Sequence, residues 1–163
     1  MAMRVLAAAA LVFACAAAGL ALHLAVSEDP MFSGKRPEYL GVKDGRLPRC
    51  KRTPNCVSSQ ADPADAAHHV APIAFKGSAA EAMAAARRAI EALPRTRVIR
   101  AEGNYLYAEF RSKLMGFVDD VELLHDERAG VIHVRSASRL GRRDFGVNRE
   151  RVEALRAAIA GGG

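Results

Sequence analysis

Two neighbouring runs of the sequence bring carboxylate, histidine and arginine side chains close together. FVDDVELLH holds Asp120 and Glu122 two residues apart, and VIHVRSASR holds His133 and Arg135 at the same spacing. Residues two positions apart in a strand point to the same side. Paired carboxylates could act as general acid and base or bind a cation, and the histidine or arginine could move a proton or hold an anion. One hypothesis is therefore an enzyme that uses Asp120 and Glu122 together with His133 or Arg135 and that could depend on a metal or an anion.

Strand alternation predicts which other side chains share that face. In YLYAEFRS, Leu106 and Phe110 alternate with polar and aromatic residues, and we assign these two to the core side. Asp119 also falls on the core side, where a buried carboxylate needs a partner, and an arginine of residues 135–151 could provide one. The candidate ligand-binding face comprises Tyr105, Tyr107, Arg111, Asp120, Glu122, His133 and Arg135.

This face has two interpretations, which the sequence leaves open. It could be a solvated sheet surface with cross-strand ion pairs, each worth about 0.2–1 kcal/mol. Alternatively, residues 27–66 could close over it to form a shallow cleft. Tyr105 and Tyr107 would then stack on a ligand, and Arg111 and Arg135 would clamp a small anion.

An arginine-rich stretch, RSASRLGRRDFGVNRER, covers residues 135–151 and contains six arginines and no lysine. We interpret it as structural wiring between a strand and a helix: Arg139 pairs with an acid, Asp144 binds backbone or an arginine, and Asn148 caps the helix. A phosphate site at the Asn148 helix start, with Arg139 nearby, is the alternative. We predict no nucleic-acid partner, because acids are interspersed with the bases and the net charge is only +6.

The order of elements defines the fold that must position these residues. HHVAPIAF is a plausible first strand, and the capping box of Ser78 and Glu81 opens a helix that Pro94 stops. Four strand-like runs and a last helix follow. We expect an α+β two-layer sandwich: a mainly antiparallel sheet of about five strands with two helices on one face. The order β-α-β-β-β-β-α is similar to that of TATA-binding-protein-like folds, in architecture only.

The N-terminus carries an apolar run from Val5 to Val26, interrupted only by His23. As a helix it would be about 33 Å long, enough to cross a bilayer core. We expect an uncleaved membrane anchor, with a signal segment cut near Ala25-Val26-Ser27 as the alternative. The predicted organisation is an anchor or signal at 1–27, an extended linker at 28–66 that lies along the domain surface, and an α+β domain at 67–160.

Cys50 and Cys56 lie six positions apart in the proline-containing segment PRCKRTPNC. This spacing permits a small disulfide-closed loop, which would suit an oxidising periplasm. Two unpaired thiols are an alternative, and a zinc site with His68 and His69 is another.

Four motifs, PNCVSSQ, HHVAPIAF, YLYAEFRSKLMGFVDDVEL and VRSASRLGRRDFGVNRERVEALR, resemble an uncharacterised bacterial and plastid family, domain of unknown function 1499. The resemblance covers about Leu40 to Ala158 and implies one small domain, often behind an export or anchor segment. Plastid relatives are exported to the thylakoid lumen, which favours an extracytoplasmic location. It brings no reaction, cofactor or partner. Our first hypothesis is therefore a non-catalytic domain anchored in the membrane by residues 5–26, on the periplasmic side, that binds a small anionic ligand or an envelope protein.

Overall fold

The computed structural model describes residues 32–161. The predicted anchor or signal at 1–27 therefore lies outside the described residues. Within residues 32–161, no helix has the length and apolar character needed to cross a membrane. The strands are β1 (Cys56–Ser58), β2 (Ile73–Ala74), β3 (Thr96–Glu102), β4 (Tyr105–Arg111), β5 (Val118–Asp126) and β6 (Val131–Ser138), and the helices are α1 (Ala79–Glu91) and α2 (Val147–Gly161).

The six strands form one sheet in the order β1-β6-β5-β4-β3, and β2 also pairs with β6. All named strand pairs are antiparallel, as short connections between consecutive strands require. The register places Glu122 directly opposite Arg135. Gly103, with a φ of +56°, turns the chain between β3 and β4.

Both helices pack on one face of the sheet and form the main core with it. Leu106, Ala108 and Phe110 of β4 contribute to this core, together with Ile90 of α1 and Leu155 of α2. The predicted capping box is present: Ser78 Oγ accepts from the Glu81 N–H, and Glu81 accepts from the Ser78 N–H. The predicted α+β sandwich with two helices on one face is therefore confirmed.

The edge of the sheet differs in detail from the sequence-based expectation. The run HHVAPIAF contributes only the two-residue strand β2, because Pro72 lacks the N–H that a continuous ladder needs. The sheet has six strands rather than about five, because Cys56–Ser58 also pairs with β6. Its three residues are too few for alternation to be recognised in the sequence.

The second face of the sheet is covered by an extended part of the chain, residues 34–53, which we call the covering segment. Leu47 is buried in it and packs with Tyr105, Tyr107 and Leu124 in a second apolar cluster. The tyrosines thus lie on the face opposite Leu106 and Phe110, as alternation predicts. The face is therefore covered by part of residues 27–66, as the second interpretation of the sequence proposed, and is not the solvated surface of the first.

Candidate functional site

Beneath the covering segment, Glu122 and Arg135 form a fully buried ion pair. Arg135 Nη1 lies 3.0 Å from Glu122 Oε2, and the two residues are 1% and 0% exposed. Glu122 Oε1 accepts two further hydrogen bonds, from the Gly41 N–H at 2.8 Å and the Tyr105 hydroxyl at 2.8 Å. Three donors from three parts of the chain therefore bind this carboxylate.

A second cluster lies beside this pair and centres on Arg139. Its guanidinium binds Asp120 at 2.7 Å and also contacts Glu109 and the Tyr107 hydroxyl. The Tyr107 hydroxyl donates to Asp120 at 2.6 Å. Arg36 of the covering segment reaches Glu109 at 2.6 Å. Together with the Glu122–Arg135 pair, this face holds three arginines and three carboxylates. Their charges therefore neutralise one another within the protein.

The pKa values of the two glutamates move in opposite directions. Burial raises the pKa of Glu122 above its ordinary value, although Arg135 and the Gly41 N–H act against it. Burial would also raise the pKa of Glu109, but hydrogen bonds from Arg139 and Arg36 outweigh it and lower that pKa. Burial is the main reason that the pKa values of Tyr105 and Tyr107 are raised, which keeps both hydroxyls protonated as donors.

On the helix face, Asp119 has the partner that its position requires. Arg151 of α2 binds it at 2.6 Å, and the Arg151 guanidinium also lies 4.9 Å from the centre of the Phe110 ring. The predicted arginine of residues 135–151 is thus Arg151, one helical turn into α2.

Asn148 does not cap α2, contrary to the prediction. It is buried inside the helix, where its side chain donates to Asn55 O and Ser138 Oγ and accepts from Ser136 Oγ. Asp144 accepts from the Asn148 N–H at 2.9 Å and from the Gly146 N–H at 3.3 Å. These N–H groups are therefore occupied, and Arg139 points to the other face, so the alternative phosphate site at this helix start is not formed.

His133 and Arg111 lie away from the two clusters. His133 Nδ1 is 3.2 Å from the Ser59 hydroxyl, and burial lowers the His133 pKa. His133 lines a separate cavity of about 620 Å³ together with His125 and Arg46. Arg111 is half-buried at the end of β4, opposite Val118. The structure thus brings five of the seven predicted face residues together and places these two elsewhere.

A cavity of about 220 Å³ lies between the covering segment and the strand β6. Arg135, Arg139 and Lys51 line it, opposed by the single carboxylate of Asp120. Arg135 Nε is buried and has no hydrogen-bond partner among the described residues. Such an orphaned donor is costly, and a ligand acceptor would satisfy it. Other polar residues in the wall are Thr53, Asn55 and Ser138.

Cys50 and Cys56 are joined by a disulfide, with Cα atoms 5.6 Å apart. The bond confirms the predicted disulfide-closed loop and leaves neither cysteine as a thiolate for zinc. It also fastens the covering segment to β1. His68 instead pairs with Asp65 at 2.8 Å.

Sequence reasoning did not select several residues of the site. Alternation already places Glu109 on the face of Tyr107, so its role could have been read from β4. Arg36 and Lys51 lie in a segment without periodicity, and the sequence holds no signal that directs them to this face.

Fold and site together define a small α+β domain whose second face holds a buried ion network beside a cationic cavity. A family model described as "Protein of unknown function (DUF1499)" matches residues 46–159. The chain belongs to this family. Neither a search of curated proteins nor one of solved structures finds a match.

Proposed function

We propose that this protein is a non-catalytic domain, anchored in the membrane, that binds a small anionic ligand in the cavity beside β6. Arg135 carries the proposal. It is fully buried, it lines the cavity, and its Nε–H has no partner among the described residues. A bound carboxylate or phosphate oxygen would satisfy this donor.

The cavity favours an anion by both charge and size. Arg135 and Arg139 are held in place by their carboxylate partners, so they lose little side-chain freedom on binding. Carboxylates already neutralise the two arginines, so Lys51, which is exposed at the same cavity, supplies its net positive charge. A volume of about 220 Å³ is below the range of drug-sized sites and suits one compact charged group.

Contacts around the carboxylates argue against acid–base chemistry there. Asp120 is bound by Arg139 and Tyr107, and Glu122 by Arg135, Tyr105 and the Gly41 N–H. A general base needs an oxygen within reach of the substrate proton. These oxygens are buried and already accept hydrogen bonds from the protein, which supports binding rather than catalysis.

We place the domain on the extracytoplasmic side of the membrane. The apolar run 5–26 is long enough to anchor the chain, and the Cys50–Cys56 disulfide suits an oxidising compartment. In a Cys15→Ser background, a membrane-impermeant thiol reagent should label cells with a permeable outer layer only after reduction. Labelling restricted to lysed cells would place the domain in the cytoplasm.

Native mass spectrometry of the full chain, released in detergent from the membranes of its own host, tests the ligand. We expect a reproducible mass excess over the oxidised chain. Lys51→Glu should abolish the excess, because it reverses a charge at the cavity without breaking either arginine–carboxylate cluster. Lys43→Glu is the matched control, since Lys43 is exposed and its described hydrogen bonds to Arg46 use the backbone only. An oxidised chain without any adduct would refute the proposal.

A further inference from the structure

Two loops at one end of the sheet expose large apolar side chains. Leu114, between β4 and β5, is 92% exposed, and Phe145, between β6 and α2, is 91% exposed. The register pairs Phe110 with Asp119 and Asp119 with Ser138, so these loops leave the sheet at the same end. We call residues 112–117 and 139–147 the loop end. Met115, Leu140 and Val147 are also exposed there.

The loop end is positively charged as well as apolar. Lys113, Arg142 and Arg143 are exposed in it. Asp144 is the one acid in these two ranges, and its carboxylate accepts from backbone N–H groups at the start of α2. Apolar side chains flanked by lysine and arginine are typical of surfaces that sit at the interface of an anionic bilayer.

The described chain begins at this same end. The Phe32 ring lies 5.4 Å from the Phe117 ring, and Gly34 O accepts from Arg139 Nη1 at 3.4 Å. Only residues 27–31 separate Phe32 from the apolar run that ends at Val26. The six Cα–Cα steps from Val26 to Phe32 span at most about 22 Å, so a run that enters a bilayer keeps the loop end close to the headgroups.

We propose that the loop end docks onto the anionic surface of the membrane that holds the chain. Leu114 and Phe145 insert at the level of the headgroups, and Lys113, Arg142 and Arg143 bind anionic lipid phosphates. The proposal rests on the anchor of the proposed function and not on its ligand cavity. An unoccupied cavity would therefore leave the docking proposal standing.

The chain contains no tryptophan, so a single introduced tryptophan reports its own surroundings without background. The full chain is reconstituted in nanodiscs of phosphatidylcholine with phosphatidylglycerol, with or without bromine on the acyl chains. We expect Phe145→Trp and Leu114→Trp to emit about 2-fold less in the brominated discs, because interfacial side chains reach the acyl boundary. Arg128→Trp is the control. It lies in the turn after β5, whose nine residues put it about 30 Å away.

The charges are tested with a matched pair of double variants. In the Phe145→Trp background, Arg142→Glu with Arg143→Glu should reduce the equilibrium constant for docking about 5-fold or more per arginine and restore the emission. Lys76→Glu with Arg128→Glu changes the net charge by the same amount at the opposite end of the sheet and should leave the quenching unchanged. Equal quenching of all three reporters, or none, overturns the proposal. A blue shift without quenching indicates a protein partner or a second copy and also overturns it. Failure of the chain to enter the discs refutes the anchor and the docking together.

Discussion

The buried pair of Glu122 and Arg135 allows a quantitative test of the ion network. Arg135→Met removes the positive charge but preserves much of the side-chain volume, and it leaves Glu122 at 0% exposure with only neutral donors. Removing one partner of a buried pair costs about 3–5 kcal/mol. For a folded unit of this size, the melting temperature should fall by about 10–20 °C.

The loss of stability caused by Arg135→Met should depend on pH in a defined direction. In Arg135→Met, the pKa of Glu122 in the folded state, already raised by burial, rises further because the arginine no longer opposes it. A carboxyl group whose folded pKa is raised stabilises the fold at low pH, and this contribution is lost as the pH rises above its unfolded value. The deficit relative to the wild type should therefore shrink as the pH falls towards 4.5, the ordinary value of this carboxyl.

Thermal unfolding of the detergent-solubilised full chain, followed by circular dichroism, measures both effects. Glu122→Gln combined with Arg135→Met should cost less than Arg135→Met alone, about 1–2 kcal/mol, because no charge is left unpaired. Arg88→Met is the control on the exposed side of α1 and should change stability by less than about 0.5 kcal/mol. If Arg135→Met unfolds within about 1 kcal/mol of the wild type at neutral pH, with no pH dependence, the pair does not stabilise the fold and the reasoning fails.

Three further predictions concern neighbouring features. Replacing Cys50 and Cys56 by serine should lower the free energy of unfolding by about 2 kcal/mol, because the short loop is no longer closed in the unfolded chain. Unfolding with and without reductant measures this difference. A reductant effect that persists in the variant would contradict the prediction. Asp144→Ala should lower the free energy of unfolding by about 1 kcal/mol, since two N–H groups near the start of α2 lose their acceptor. Urea denaturation measures this loss, and an unchanged midpoint would show that water replaces the carboxylate. The pKa of Glu109 is lowered, so its ionised form stabilises the fold above about pH 4.5, and stability should be lost as the pH falls below that value. In a series of unfolding measurements at different pH values, Glu109→Gln should reduce this loss of stability at acidic pH. An identical loss in the variant would mean that other acids cause it.

Short-range patterns in the sequence predicted the sheet and helices well. Alternation in β4 separates Leu106 from Tyr107 correctly, because one face of the strand meets the helices and the other does not. The capping box locates α1 because both of its hydrogen bonds are local. The same reasoning misplaced Asn148, because its side chain finds partners on β6 and at Asn55, far away in the chain.

The individual contacts of the covering segment could not be predicted in this way, for a related reason. Arg36 and Gly41 bind carboxylates that are 73 and 81 residues away, and no repeating pattern in residues 34–53 encodes such contacts. The sequence therefore identified most of the face residues but left open whether residues 27–66 cover the face. Its enclosure, and with it the cavity beside Arg135, depends on tertiary contacts alone.

The distance along the chain between the covering segment and its partners has a consequence for biogenesis. A ribosome makes residues 34–53 before any strand they cover, and Arg139, which binds Gly34 O, follows 105 residues later. Arg36 and the Gly41 N–H bind carboxylates of β4 and β5. The sheet that holds these carboxylates is not complete until β6 has emerged. The Cys50–Cys56 bond joins residues six positions apart and needs no later strand, so it can form early. We therefore expect the covering segment to be synthesised early but to fold among the last parts of the described chain, and to be open to proteases until β6 has been made.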